Sequence, residues 1–230
     1  MTLMVHIWSD IACPWCYVGK RHLEAALHQF AHAAQTQLIW HAFELDPSAP
    51  KQSAAEPSYV ERLARKYGTS TTQAQHMIDR MTERGRAVQI DFRFANVQFC
   101  NTFDAHRLLK LALEEGAAPS ASTQTVLTER LFAAYMTEGE LISDKDTLLR
   151  LAREVGLNEE EAYTTLHTDA FFDDVRADEL AARRLGVTGV PFFVLGRYGV
   201  AGAQPPDVLL SVLEQAWTGR NTAGTDRALE

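Results

Sequence analysis

Cysteine is scarce in this chain, with three among 230 residues, one of them without an obvious partner. That count does not suit a secreted framework of disulfides, and any S–S bond here is expected to be transient and catalytic. The chain does not need staples: at this length and 46% apolar content it can bury a substantial core as one elaborated domain or two intimately joined ones. Basic charge is also short. Lys and Arg number 22 against 30 Asp and Glu, a formal charge of -8, which argues against nucleic acid or an anionic membrane surface as the main partner. No apolar run approaches the roughly 20 residues of a membrane-crossing helix. Met1 to Trp8 runs into the first strand without a basic n-region, an apolar h-region or a small-residue cleavage site, so a cytoplasmic protein is expected. No internal repeat or low-complexity tract is evident.

Against that background Cys13-Pro14-Trp15-Cys16 stands out. It follows the apolar run Leu3, Met4, Val5, Ile7 and Trp8 and opens a helix-patterned segment. At a helix N-terminus the unpaired N–H groups and the positive dipole end favour an anion, so an exposed Cys13 sulfur is expected to ionise more readily than a free cysteine. Cys13 is the candidate nucleophile. Cys16, about one turn on, is close enough for an S–S bond but points further into the fold, which makes it the resolving thiol. Pro14 contributes no N–H, and Trp15 offers a broad apolar surface that either meets substrate or packs. Half of a zinc site has the same spacing, but zinc needs a second ligand pair. The remaining cysteine is Cys100, and His28 and His32 fall at i,i+4 in an amphipathic segment.

Periodicity divides the chain. Residues 19–33 place Leu23, Ala26, Leu27 and Phe30 at helical spacing, and 37–43 alternate as a strand. From 56 to about 186 the pattern is mainly helical, with candidates at 58–67, 72–84, 102–115, 123–137, 144–155, 159–167 and 171–185. Strands are expected at 191–195 and 198–200. A closing helix at 207–217 follows the Ala203-Gln204-Pro205-Pro206 turn.

Residues 182–195 read as a helix end, a glycine-bearing turn and a buried strand beginning after Pro191. This resembles the cis-proline strand of the thioredoxin fold. There the proline loop packs beside the C-x-x-C, and the backbone of the preceding residue, here Val190, pairs with an extended substrate peptide. Three segments carry a wider resemblance: Ser9-Asp10-Ile11-Ala12-Cys13-Pro14-Trp15-Cys16-Tyr17-Val18-Gly19, Asn101-Thr102-Phe103-Asp104-Ala105-His106-Arg107-Leu108, and Gly189-Val190-Pro191-Phe192-Phe193. Together they resemble the DsbA family of thiol oxidoreductases, in its FrnE-like branch, whose relatives include 2-hydroxychromene-2-carboxylate isomerase and kappa-class glutathione transferase. The resemblance implies an α/β protein with a thioredoxin fold and a large inserted all-helical domain. Residues 1–55 and 187–218 would form the thioredoxin-like part, 56–186 the insert and 219–230 a flexible tail.

The resemblance further implies a dithiol enzyme exchanging disulfides with protein substrates, with no tightly bound cofactor or metal. Glutathione is a candidate redox partner or co-substrate. The isomerase and transferase relatives usually carry serine at the position of Cys13, so the presence of both cysteines favours the dithiol cycle over a glutathione-dependent isomerase or transferase. A chaperone-like binding module is the third class. Pro14, Trp15, Val190 and Pro191 are candidate substrate contacts. Asn101 and Thr102 either touch substrate or cap a helix. Glu44, at the end of the second strand, either accepts the Cys16 proton or is a solvated carboxylate. Cys100 is read as a packed residue, the alternative being a further redox thiol. The sequence sets no oligomeric state.

Overall fold

A computed structural model describes residues 2–51, 57–114 and 122–219. The expected tail lies outside them, except Gly219, as do the proposed insert boundary at 56 and the last residue of the helix expected at 102–115. The central strand is β1 (Leu3–Ser9), flanked by β2 (Thr36–Ala42) in parallel and β3 (Phe192–Leu195) antiparallel; β4 (Tyr198–Ala201) closes the order β2-β1-β3-β4. Joining parallel neighbours requires a crossover. That crossover is α1 (Pro14–Gln29), entered through proline at its first position, where the missing N–H costs nothing.

Strand alternation sorts the two faces of the sheet. Leu3, Val5 and Ile7 pack with Leu23, Ala26 and Leu27 of α1 and with Leu209 and Leu213 of α9 (Pro206–Gly219). On the opposite face Trp8 packs with Ala182 and Val187. Between β2 and β3 run α2 (Tyr59–Tyr67), α3 (Thr71–Ala87), α4 (Phe103–Glu114), α5 (Thr123–Ala133), α6 (Lys145–Glu154), α7 (Glu159–His167) and α8 (Phe172–Arg184). Each stands where a helix was expected, α7 with the expected bounds and the others with ends moved by up to a few residues. The largest difference is at 134–138, where α5 passes into a five-residue π-helical turn that ends at Gly139 in the left-handed region (φ 73°). Most of these helices start on a side-chain cap: Ser58 with Glu61 as a capping box, Ser70, Ser122, Asp144 and Asn158. Among the described residues no helix is long and apolar enough to cross a membrane.

Buried polar side chains lock the helices onto the sheet. Gln124 of α5 completes the open edge of β2 as a further strand would: its Nε2 donates to the Trp40 carbonyl at 2.8 Å, and its Oε1 accepts from the Trp40 N–H at 3.0 Å. Asp178 of α8 accepts from the Ala42 N–H at 2.8 Å, bonds His41 Nδ1 at 2.7 Å and pairs with Lys110 of α4, while its carbonyl accepts from the Trp8 indole at 3.0 Å. The Trp8 ring stacks on His41 at 4.4 Å. Helix α8 leads directly into the Pro191 loop, so this anchor fixes where that loop begins.

Burial opposes ionisation of Asp178, but the hydrogen bond and charge of His41, and then Lys110, outweigh it and hold the carboxyl below its ordinary 3.8. A depressed folded-state pKa gives stability that is complete above the unfolded value and lost as pH falls through the lower folded one. Asp178→Ala is expected to cost roughly 3 kcal/mol near neutral pH, because it strands Lys110. In urea unfolding the difference from wild type should shrink as pH drops from about 4 toward 2. A variant as stable as wild type at neutral pH would contradict the anchoring role.

Candidate active site

Cys13 is the N-cap of α1 (φ -101°, ψ 107°), and its carbonyl accepts the Cys16 N–H at 3.0 Å. No acidic residue stands in the first turn of this helix to compete with an anion. Both cysteines are free thiols. The expectation of an exposed first sulfur needs correction: Cys13 is only 4% accessible. The Val190 loop covers it, and its thiol donates to the Val190 carbonyl at 3.5 Å. Cys16 is deeper, at 1%. Burial, reinforced by the hydrogen bond and charge of neighbouring Cys13, pushes the Cys16 thiol well above its ordinary value, while the Asp10 amide and the Ser9 hydroxyl act the other way. Cys16 is therefore held as a thiol.

The Val190–Pro191 peptide is cis. Pro191 is buried and Val190 half-buried. The ring lies directly on α1 at Gly19, where a Cβ would come within 2.9 Å of Pro191 Cγ and 3.3 Å of Phe193 Cζ. Glycine at 19 is thus what lets the proline loop approach the helix that carries the dithiol. The other two motif residues face outward: Pro14 is half-buried and Trp15 is 45% exposed.

Asp10 supports the motif from below. Its carbonyl accepts the Cys13 N–H at 3.1 Å, and its carboxylate accepts from the Leu45 N–H at 2.7 Å and the Ala12 N–H at 3.3 Å. His106 Nε2 of α4 lies 3.4 Å from Asp10 Oδ1, and Thr102 adds a side-chain hydrogen bond. Burial works against this charge, but His106, Leu45 and Thr102 outweigh it and hold the carboxyl below its ordinary value. Sequence reasoning gave Asp10 no role. The signal available was an aspartate two residues before an N–H at a helix entrance, the signature of an Asx turn.

Asn101 and Thr102 divide their roles. Asn101 Oδ1 accepts the Phe103 N–H at 2.9 Å, and its Nδ2 donates to Glu44 Oε1 at 3.1 Å. Thr102 is buried, and its side chain helps to hold the Asp10 carboxylate. Glu44 is buried rather than solvated and pairs with Arg176 at 2.7 Å. Burial raises its pKa, with Arg176 and His106 pulling it back and Glu179 pushing it up. Its bonding partners are Asn101 and Arg176, whereas Cys16 has Ser9 and the Asp10 amide beside it.

Cys100 is 2% accessible, with burial raising its thiol and Ser143 and Ile142 opposing the rise. Tyr59, at the start of α2, was not anticipated. Its ring packs on Phe94 at 4.9 Å, and burial together with the nearby Cys13 pushes its phenol up, which keeps it neutral. Among the described residues no group of three or more His, Cys, Asp or Glu is placed to hold a metal ion. Two free thiols, one at a helix N-terminus and one buried behind it, are the groups that two-thiol chemistry needs.

Gly19→Ala is expected to lower stability by about 1–3 kcal/mol, since its Cβ forces Pro191 away from the helix. Chemical unfolding measures it, and an unchanged midpoint would show that the contact is not tight.

A family model, the DSBA-like thioredoxin domain, matches residues 4–214. The uncharacterized protein YwbO of Bacillus subtilis (strain 168) is 30% identical over 210 residues, 90% of this chain and 94% of that one. The crystal structure of a probable DsbA oxidoreductase from Streptomyces coelicolor is 40% identical, with 95% of this chain and 91% of that chain covered and a TM-score of 0.84. Cytosolic disulfide reductase DsbM from Pseudomonas aeruginosa, solved with GSH, shares the fold at 19% identity, with 94% of this chain and 100% of that chain covered and a TM-score of 0.62. The fold is the expected thioredoxin fold with helices inserted between β2 and β3, and the chain belongs to the DSBA-like thioredoxin domain family.

Proposed function

We propose that this protein is a thiol–disulfide oxidoreductase or isomerase that uses the Cys13–Cys16 dithiol to exchange disulfides with protein substrates. The observation that carries the reading is the asymmetry of the pair: Cys13 stands at the N-cap position of α1 with its thiol on the Val190 carbonyl, and Cys16 lies deeper, where burial holds it as a thiol. In the reducing direction, Cys13 thiolate attacks a substrate disulfide and expels one substrate thiolate, forming a mixed disulfide. Cys16 loses its proton and attacks Cys13 Sγ. The Cys13–Cys16 bond forms, and the second substrate sulfur leaves as a thiolate and takes up a proton. The reverse sequence inserts a disulfide.

Substrate would lie over Pro14, Trp15 and the Val190–Pro191 loop, with Asn101 at the margin. The exposed Trp15 face supports this placement. Glu44 is the candidate for a final proton acceptor, acting through water rather than by contact with Cys16. No resident cofactor is required, and glutathione is the candidate small-molecule redox partner, as its presence with DsbM suggests. We place the protein in the cytoplasm. A potential near that of the most oxidising family members, about -120 mV, would leave the dithiol almost wholly reduced against a poise of about -220 to -320 mV, so isomerisation or reduction is the sustainable direction there.

Equilibrium titration in glutathione buffers, read by Trp15 fluorescence with Cys13→Ser as control, tests the reading. A reversible two-electron transition is expected, near -180 mV for an isomerase or about -270 mV for a reductase. Cys16→Ser should accumulate a mixed disulfide through Cys13. A titration with no Cys13-dependent transition would turn the assignment to a glutathione-dependent isomerase or transferase.

A further inference from the structure

Ser9, the last residue of β1, carries a buried hydroxyl, 4% accessible, that meets no hydrogen-bond partner of normal geometry among the described residues. Such a group costs free energy and calls for an explanation. Its direction supplies one. Leu3, Val5 and Ile7 share a face of the strand and pack on Leu23 and Leu27 of α1, so alternation turns Ser9 to that same helix. Cys16 lies two helical turns before Leu23 on the same side of α1, and it is buried at the helix end that stands over the end of the strand.

We propose that the Ser9 hydroxyl is a catalytic donor held in reserve for Cys16, giving its O–H to that sulfur as it becomes the attacking thiolate. The inference rests on the dithiol reading above. No proton is transferred by Ser9: the Cys16 proton leaves to solvent, the thiolate attacks Cys13 Sγ, and the substrate sulfur departs with the electron pair. Beside the neutral Cys16 thiol the hydroxyl makes no bond of normal geometry, and it gains a charge-assisted bond as charge develops on that sulfur, which is where an interaction accelerates a step. In agreement, Ser9 is the one side chain among the leading influences on Cys16 that favours its ionisation.

Reaction of the reduced protein with 5,5′-dithiobis(2-nitrobenzoate) separates the two thiols. Attack by Cys13 releases one 5-thio-2-nitrobenzoate, and displacement by Cys16 releases the second. Ser9→Ala should leave the first phase and the equilibrium potential unchanged. The second phase should slow roughly threefold at neutral pH, a tenfold smaller thiolate fraction partly offset by higher nucleophilicity, and its pH midpoint should rise by about one unit. Ser9→Thr should restore the rate and the equally large Ser9→Val should not, a comparison that stands even where Ser9→Ala folds poorly. An unchanged second phase in Ser9→Ala, equal rates for the Thr and Val variants, or both phases slowed alike would overturn the proposal. Release of a single equivalent by wild type would overturn the dithiol reading itself, and this inference with it.

Discussion

A carboxylate buried beneath the redox motif is the constraint on which the surrounding structure depends. Asp10 keeps its charge out of water only because donors converge on it from three parts of the chain: the Ala12 amide at the entrance to α1, the Leu45 amide beyond β2, and His106 with Thr102 on α4. An uncompensated buried carboxylate would cost several kcal/mol, so each donor is held in place by the need to satisfy it. The backbone of the same residue fixes the Cys13 amide and faces the Cys16 sulfur. One residue therefore couples the sheet, the inserted helices and the dithiol.

The same logic extends along α4 and α8. Helix α4 buries His106, Arg107 and Lys110, and each has a partner within the fold: Asp10, Asp104 with the Ala170 carbonyl, and Asp178. Arg176 of α8 spans Glu44 and Glu179 and lies over the Phe103 ring at 4.4 Å. The insert is held against the thioredoxin-like part by paired charges as well as by apolar packing. Its residues nearest the motif, Tyr59 beside Cys13 and His106 against Asp10, are thereby fixed relative to sulfur atoms that belong to the other part.

Much of the fold was legible because it is written in local patterns. The apolar run of β1, alternation in β2, helical spacing from Leu23 to Phe30, and the helical pattern broken by glycine or polar residues in the insert are short-range signals. The π-helical turn at 134–138 was not, because nothing in its composition distinguishes it from one more turn of α5. In the site, Cys13, Cys16 and Pro191 stood out by residue type and spacing. Asp10, Ser9, His106 and Tyr59 did not, since an ordinary Asp, Ser, His or Tyr gains meaning only from what is folded against it.

What the sequence determined by itself is the chemistry available: two thiols one helical turn apart at a strand-to-helix junction, a proline far downstream to meet them, and enough apolar residues at regular spacing for a sheet and its helices. What only the tertiary structure decided is how that chemistry is biased. Cys13 is covered by the Val190 carbonyl, Cys16 is held as a thiol by burial, Thr102 is turned inward to Asp10, and the Ser9 hydroxyl is buried beside a sulfur. The physical reason is that desolvation and hydrogen bonding depend on which groups, distant in sequence, share a low-dielectric space, and no local pattern encodes that distance.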